Sequence, residues 1–577
     1  MLNAVIKRRQ VDKTIKLPDT IHPLLQRIYI ARGITANEQL NHSTQVLLTY
    51  QQLTHIDQAT ELLYQAVLTE KKILIVGDFD TDGATSTALI MTALNQFGIK
   101  NVHYIIPDRF EDGYGLSVSV VKRAIEQQAA LIITVDNGIS AVEAVDYAKQ
   151  HNIQVIITDH HLAPEVLPAA DAIINPNLND CPFPSKNLAG VGVTFYFMLA
   201  FRALLRQHNW FEIHQLSEFN LAQLLDLVAL GTVADVVNLD QNNRILVQQG
   251  LSRIRAGYCC AGIKALSKSA GRNIQKLTAQ DLSFYLAPRL NAAGRMDNMS
   301  LSVELLLAKD EHSALEIVDI LEELNSDRKA IEQAMQKEAL SFIDKLEKTT
   351  TEIPNSFVIY HPKFHQGVIG VLSSRIKDKF YRPVISFAKT DDGFLKGSGR
   401  SVNNIHLRNV LEIIHNRDPK LISGFGGHAM AAGLTIPLAN LATFTRYFEE
   451  EVSNVLKTVS LKNEIETDGE IENKYFNIET AKILKESGPW GANFPEPIFD
   501  GIFLVHQQKL IGTKHLRMVL EPLAGGPLLN AIAFNIDLNY WPDQSVKKVE
   551  IVYHLEVNDF RGNETINLLI RHLWPIS

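Results

Sequence analysis

Between Gly77 and Gly83 the chain carries three carboxylates at alternate positions, Asp78, Asp80 and Asp82. Like charges this close repel unless cations sit among them, and hard oxygen ligands suit Mg²⁺ or Mn²⁺. The D-x-D-x-D-G spacing resembles a calcium loop, but that loop needs a glutamate where this chain has Leu89. For one aspartate alone a helix cap or turn is the stronger reading; three together favour a cation. Further along stand Asp136-Asn137-Gly138 and Asp159-His160-His161. Asp235 lies inside the apolar run LVALGTVADVVNL, where an unpaired carboxylate is costly without a cation or a donor. Taken singly, Asp-Asn-Gly is a turn signal and a lone histidine a surface or hydrogen-bonded group. Brought together, these side chains would make a divalent-metal site.

The pattern around them says how they meet. From residue 71, short apolar runs alternate with amphipathic ones: KKILIVGD, TSTALIMTALNQFG, NVHYIIP, SVSVVKRAIEQQ, ALIITVDNG, AVEAVDYAKQHN, IQVIITDHH. That order is β-α-β-α-β-α-β, which predicts a parallel sheet covered on both faces, with ligands at the carboxyl ends of its strands. Asp78, Asp80, Asp82, Asp136, Asp159, His160 and His161 all fall at such ends.

A helix-rich stretch follows to about residue 350. Its last part, SALEIVDILEELNSDRKAIEQAMQKEALSFIDKL, has no Gly or Pro and predicts one unbroken strut of roughly 50 Å. A second α/β section opens at FVIYH and is Gly-rich over 393–433. Beyond about 458, strand-like runs (IFLVHQQKLIG, HLRMVLE, LNAIAFNI, KKVEIVYHLEV) predict a small OB-like β-barrel. The expected division is an N-terminal extension over 1–45, a catalytic domain over 46–250, a helical connector over 251–350, a substrate-binding domain over 351–457 and the barrel over 458–577.

The 577 residues are 46% hydrophobic and 21% charged, the composition of a multi-domain globular protein. With 56 basic against 64 acidic residues the net charge is -8, so any nucleic-acid contact must come from local basic clusters. Cys181, Cys259 and Cys260 form no C-x-x-C pair, which argues against a disulfide framework, a zinc finger or an iron–sulfur centre. The basic start lacks an apolar stretch behind it, and the richest apolar runs are broken by Arg202, Asp226 and Asp235. A cytoplasmic protein without a membrane span is expected.

GDFDTDG, the DNG aspartate, DHH and the GTVADVV aspartate, in this order and at strand ends, resemble the four motifs of the DHH phosphoesterase superfamily. APRLNAAGR, FHQGVIGVLSSR, GSGRS and GFGGHAMAAG, with the terminal β section, are similar to its branch of single-strand-specific 5′→3′ DNA exonucleases. The resemblance spans roughly residues 45–577 and implies a DHH domain, a long connecting helix, a second α/β domain of the DHHA1 kind and an OB-like barrel. It also implies two divalent ions, one held by Asp82, Asp136, His160 and Asp235 and the other by Asp78, Asp80 and Asp136. Asp159 would orient a histidine, and His161 would face the scissile phosphate. Two ions roughly 3.5–4 Å apart activate water and stabilise both oxygens of an in-line phosphodiester cleavage. A histidine ligand tilts the choice toward Mn²⁺.

For the substrate, the glycines of Gly397-Ser398-Gly399-Arg400-Ser401 would let a phosphate approach the backbone while Arg400 offers a fork of donors; a glycine hairpin is the alternative. By resemblance Ser398, Arg400 and Arg109 hold the 5′-terminal phosphate, with Arg295 and His428 as further contacts. GFGGHAMAAG otherwise reads as a packing corner between helix and strand. In the acidic barrel section Lys509, Lys514 and Arg517 form the one basic stretch, either a backbone track or a solvated ribbon. Phe499, Phe503 and Trp490 are expected in the core rather than stacked on bases. The implied partners are single-stranded DNA, a single-strand-binding protein and a RecQ-type helicase. Two rivals remain: a phosphodiesterase of oligoribonucleotides or cyclic dinucleotides, which lacks strut and barrel, and a non-enzymatic replication scaffold, which has no reason to keep so much repelling charge.

Overall fold

A computed structural model describes residues 4–109, 111–349, 354–390, 392–459, 461, 463–512, 514–536, 541, 545–560 and 563–576. The chain begins with strand β1 (Val5–Arg8) and helix α1 (Pro23–Ile30). Strands β2 (Ile73–Val76), β3 (Val102–Ile105), β4 (Leu131–Val135), β5 (Gln154–Thr158) and β6 (Ala172–Ile174) then form one sheet in the order β3-β2-β4-β5-β6, parallel throughout. Every residue of β2 and β4 is buried, which is why these strands read as continuous apolar runs rather than alternating ones. The chain leaves β2 for β3 on one side and crosses back to β4 on the other, so the strand order reverses between β2 and β4. At such a switch point the loops diverge and leave a crevice at the carboxyl edge.

Helices α2 (Thr81–Gln96) and α3 (Gly190–Gln207) begin at that edge, and α4 (Leu225–Ala234), buried on nearly all sides, ends at it. Helix α5 (Gln241–Arg255) packs on α4, and α6 (Ala287–Met296) follows a π-helical turn at Leu282–Leu286. The expected strut is α7 (Glu311–Thr349), 39 residues and therefore about 58 Å long. It exceeds the expected run at both ends, by two residues at the start, where Asp310 accepts from the His312 and Ser313 N–H groups, and by three at the carboxyl end.

The second α/β unit has strands β7 (Phe357–Tyr360), β8 (Val384–Lys389), β9 (Phe394–Arg400), β10 (Gly424–Gly427) and β11 (Ala431–Pro437) in the order β10-β11-β9-β8-β7, with helix α8 (Ile369–Phe380) between β7 and β8. Here two alternative readings fail. Gly397–Arg400 is not a hairpin but the end of β9, hydrogen-bonded on both sides. A Cβ on Gly397 would stand 2.5 Å from the Phe387 ring, and one on Gly399 2.6 Å from Leu407. The glycines thus let the core close on one face, while Ser398 and Arg400 point from the other by strand alternation. GFGGHAMAAG is the β10–β11 hairpin rather than a helix–strand corner.

Strand β12 (Glu464–Thr467) pairs in parallel with β1. Strands β13 (Phe499–Ile511), β14 (His515–Pro522), β15 (Leu529–Ala533), β16 (Lys548–Phe560) and β17 (Asn563–Ile576) close a barrel in the order β13-β14-β15-β17-β16. Phe499, Phe503 and Trp490 lie in its buried core and the segment leading to it, as expected. One continuous apolar core joins the first domain to the barrel, whereas the second α/β unit keeps two separate cores, one of them shared with α7. No described helix is long and apolar enough to cross a membrane.

Candidate metal centre

The acidic loop after β2 is folded tightly under α2. Asp80 caps that helix, accepting from the Asp82 and Gly83 N–H groups at 3.0 and 3.1 Å. A Cβ on Gly83 would stand 2.6 Å from the Asp78 backbone, so the first helical turn can lie on the loop only with glycine there. Asp82 reaches the amino end of α3, where its carboxylate accepts from Gly190 N–H at 2.6 Å and Val191 N–H at 2.9 Å. The positive end of the helix favours that anion. Asp136, just past β4, adopts φ 65°, and Val236, just past Asp235, adopts φ 62°. Left-handed backbone at non-glycine residues is strained, most of all at a β-branched valine.

These elements bring the ligand candidates together. His160 Nε2 lies 3.1 Å from Asp136 Oδ1, 3.5 Å from Asp235 Oδ2 and 3.9 Å from Asp82 Oδ2. Asp78, Asp80 and Asp136 form a second group whose oxygens all lie within 4.8 Å of one another. Asp136 belongs to both groups. Asp82, His160 and Asp235 also form a group within the same span, as do Asp136, His160 and His161.

The electrostatics fit cations. Burial first, and then the neighbouring carboxylates, push Asp78, Asp136 and Asp235 well above the usual carboxylate range and Asp82 up to about 7. Among the described residues, Asp78 Oδ1, Asp136 Oδ1 and His160 Nε2 are buried without a hydrogen-bond partner. Orphaned atoms of this kind are costly unless something absent from the chain satisfies them. The donor set, carboxylate oxygens with one imidazole and no thiolate, suits Mn²⁺ or Mg²⁺.

The adjacent histidines are driven in opposite directions. Burial, then the charge of His161, pushes His160 down to about 3, so the ring is neutral and its Nε2, beside the carboxylates and without a hydrogen-bond partner, can offer a lone pair to a cation. For His161 burial works downward, but the hydrogen bond and charge of Asp159 outweigh it and raise the ring to about 9. Asp159 Oδ1 takes His161 Nδ1–H at 2.7 Å and the N–H groups of His160 and His161, while Oδ2 takes Ile139 N–H. The histidine that Asp159 orients is therefore His161.

Facing this floor is a cationic wall. Arg109 lies 3.9 Å over the Phe79 ring and donates from Nε to the Gly294 carbonyl. Burial lowers the Arg295 pKa to about 10, with Arg109, Arg328 and Arg400 close enough to push it further down. Arg400 donates from Nη1 to Ser398 Oγ at 3.2 Å, and a Cβ on Gly370, in the first turn of α8, would stand 3.0 Å from that hydroxyl. His428, on the β10–β11 hairpin, is lowered by burial and by the charge of His161. Lys509, Lys514 and Arg517 lie away from it, exposed on the β13–β14 hairpin. Lys514 lines a cavity of about 530 Å³ with Arg328, Lys329, Glu332 and Arg375.

Three residues were not anticipated. Gly190 is obligatory, because a Cβ there would lie 2.4 Å from that of Asp136. Gly370 makes room for Ser398 and Arg400. Tyr114 brings its hydroxyl to 3.2 Å from His161 Nε2 and 3.4 Å from the Asp136 carbonyl. Each lies in a segment with a turn or helix-start signal (NLAGVG, GVIGVL, EDGYG), but nothing local marks it as part of a site.

Known proteins match the whole of this arrangement. Three family descriptions fit in succession: "DHH family, N-terminal domain" over 72–232, "DHHA1 domain" over 354–454 and "RecJ OB domain" over 467–572. The Escherichia coli (strain K12) protein named "Single-stranded-DNA-specific exonuclease RecJ" is 51% identical over 571 residues, 99% of each chain. The chain belongs to the RecJ family. The Haemophilus influenzae RecJ is 50% identical over 578 residues, the full length of both proteins. The crystal structure of RecJ from Thermus thermophilus in complex with Mn²⁺ superposes with a TM-score of 0.78 at 26% identity, covering 97% of this chain and 76% of that one. The Mg²⁺ complex of the same protein gives a TM-score of 0.74 at 25% identity, over 97% and 75% of the two chains. A metal-dependent, single-strand-specific DNA exonuclease of DHH–DHHA1–OB architecture is therefore in hand.

Proposed function

We propose that this chain removes nucleotides one at a time from the 5′ end of single-stranded DNA, releasing 5′-mononucleotides during recombination and repair. The observation that carries the reading is the opposition of the two ligand groups to Arg109, Arg295, Arg400 and His428 across one crevice. Asp82, Asp136, His160 and Asp235 would hold one dication, and Asp78, Asp80 and Asp136 the other. When bound, the pair lowers the pKa of water and neutralises charge developing on the phosphate.

The chain's own groups supply the rest. Ser398, Arg400 and Arg109 clamp the 5′-terminal phosphate, fixing how far the strand enters and which bond lies over the floor. The imidazolium of His161, held by Asp159, offers its Nε2–H to an oxygen of the scissile phosphate. The Tyr114 hydroxyl, 3.2 Å from that same Nε2, is the partner the phosphate oxygen replaces. Water attacks phosphorus, the bond to the 3′ oxygen breaks, and that oxygen takes a proton as the terminal nucleotide departs. The shortened strand then carries a new 5′-phosphate for the same clamp, which is what permits repeated cycles. Lys514 and Arg517, with Lys509, guide the strand beyond the cleft. Duplex DNA is too wide for such a crevice, so a helicase of the RecQ type and a single-strand-binding protein are the expected partners, in the cytoplasm.

The decisive assay uses single strands labelled at either end, with and without Mn²⁺. Immediate release of the 5′ label as a mononucleotide, only with metal, is expected. First release from the 3′ end would refute the polarity, and preference for a dinucleotide over a long strand would favour a small-substrate phosphodiesterase.

A further inference from the structure

Residues 4–42 supply none of the metal-ligand candidates, yet they are bonded to both bodies beside them. Strand β1 adds itself to β12, with Val5 N–H on the Asn463 carbonyl and Arg9 N–H on the Thr467 carbonyl. Arg8 donates to Asp500 in the first barrel strand and to Glu470. Arg32, just past α1, makes a two-pronged bond to Asp468 at 2.8 and 3.0 Å, and both side chains are only 1% exposed. Its Nε donates to the Pro495 carbonyl and its guanidinium lies over Trp490, while the Tyr29 hydroxyl donates to the Ser487 carbonyl. On the other side, Arg244 of α5 lies over the Phe494 ring and donates to the Gln39 carbonyl. Helix α5 follows directly on the Asp235 loop.

We infer that residues 4–42 are a fastener that sets the barrel relative to the metal centre, with Arg32 and Asp468 as its positioning pair. It governs the grip on a long strand without taking part in the chemistry. The inference rests on the reading that cleft and barrel hold one strand together. Two linked grips act at a high effective concentration only while the link holds them in register; a loosened barrel weakens the grip on strands long enough to reach it and on no others.

The test compares Arg32→Met and Lys7→Pro with the unaltered chain, each on a long single strand and on a trinucleotide, with hydrogen exchange followed in parallel. Arg32→Met takes the two-pronged partner from buried Asp468, leaving it Arg9 at 3.5 Å and the Ile498 N–H, and risks the barrel's fold; Lys7→Pro breaks the β1–β12 ladder at its centre and removes the exposed Lys7–Glu464 pair. For both, the long-strand KM is expected to rise about tenfold with kcat nearly unchanged, and the trinucleotide parameters stay as they were. Exchange quickens at 464–468 while β2 and β4 keep their protection. An unchanged long-strand KM in Lys7→Pro overturns the inference, whether or not exchange quickens, and so does an equal loss on both substrates. An unaltered chain that grips the trinucleotide as tightly as the long strand would overturn the two-grip reading and the inference with it.

Discussion

The floor and the wall of the cleft are built by opposite rules. The floor is made of short acidic side chains, each within a residue or two of the end of a strand or helix; backbone N–H groups tie Asp80 and Asp82, and among the described residues Asp78 and Asp136 keep a buried oxygen without a hydrogen-bond partner. The wall is made of long cationic side chains from three separate places, the loop after β3, α6 and β9, with the lowered His428 of the β10–β11 hairpin beside them. Its arginines stay charged by leaning on carbonyls and a ring. The contrast teaches where each part of the reaction resides. The floor needs atoms placed to within tenths of an ångström, so it sits on rigid element ends; the wall needs reach, so it uses flexible side chains anchored at their tips.

The comparison breaks most sharply at Asp136, the one ligand common to both groups. Asp136→Ala should lower kcat by roughly 10³-fold or more with the fold intact, because both ions lose a ligand; circular dichroism and turnover measured together check it. Cutting the wall has a smaller effect on a different parameter. Arg400→Ala should raise KM for 5′-phosphorylated strands by roughly 10- to 100-fold and erase the preference over 5′-hydroxyl strands, since a charged hydrogen bond is lost while the floor is untouched.

Asp159→Asn tests the join between the two. His161 stands near 9 because of Asp159, so without that carboxylate its pKa falls. A ring that must be protonated then empties at lower pH: the alkaline limb of kcat/KM should shift to lower pH, with about a tenfold loss at the optimum. Smallest is Lys514→Ala on the barrel hairpin, for which a few-fold rise in the KM of long strands is expected. The log–log salt slope should be shallower by about 0.7, the value of one phosphate contact on a single strand.

The same contrast explains what could be read in advance. Asp78, Asp136 and His160 were legible because each follows an apolar run, and a parallel sheet gathers such ends on one edge. Asp235 was legible because a charge inside an apolar helix demands a reason. Gly190 and Gly370 were not, because their role is to vacate space that only the folded neighbours define. The glycines of GSGRS were assigned to phosphate approach and prove to serve the Phe387 and Leu407 side of the sheet, a fact that depends on which strands flank β9. Least legible was the N-terminal segment, whose partners Glu464–Thr467 lie at the far end of the chain. Local pattern carries no trace of so distant a pairing.

The central claim is that mutually repelling carboxylates and the neutral His160 share two dications. Calorimetric titration of the metal-free chain with Mn²⁺, joined to electron paramagnetic resonance, tests it most directly. Two ions per chain with a spin-coupled signal, both lost in Asp136→Ala, is the predicted result; a single uncoupled ion, or binding unaffected by that substitution, would contradict it.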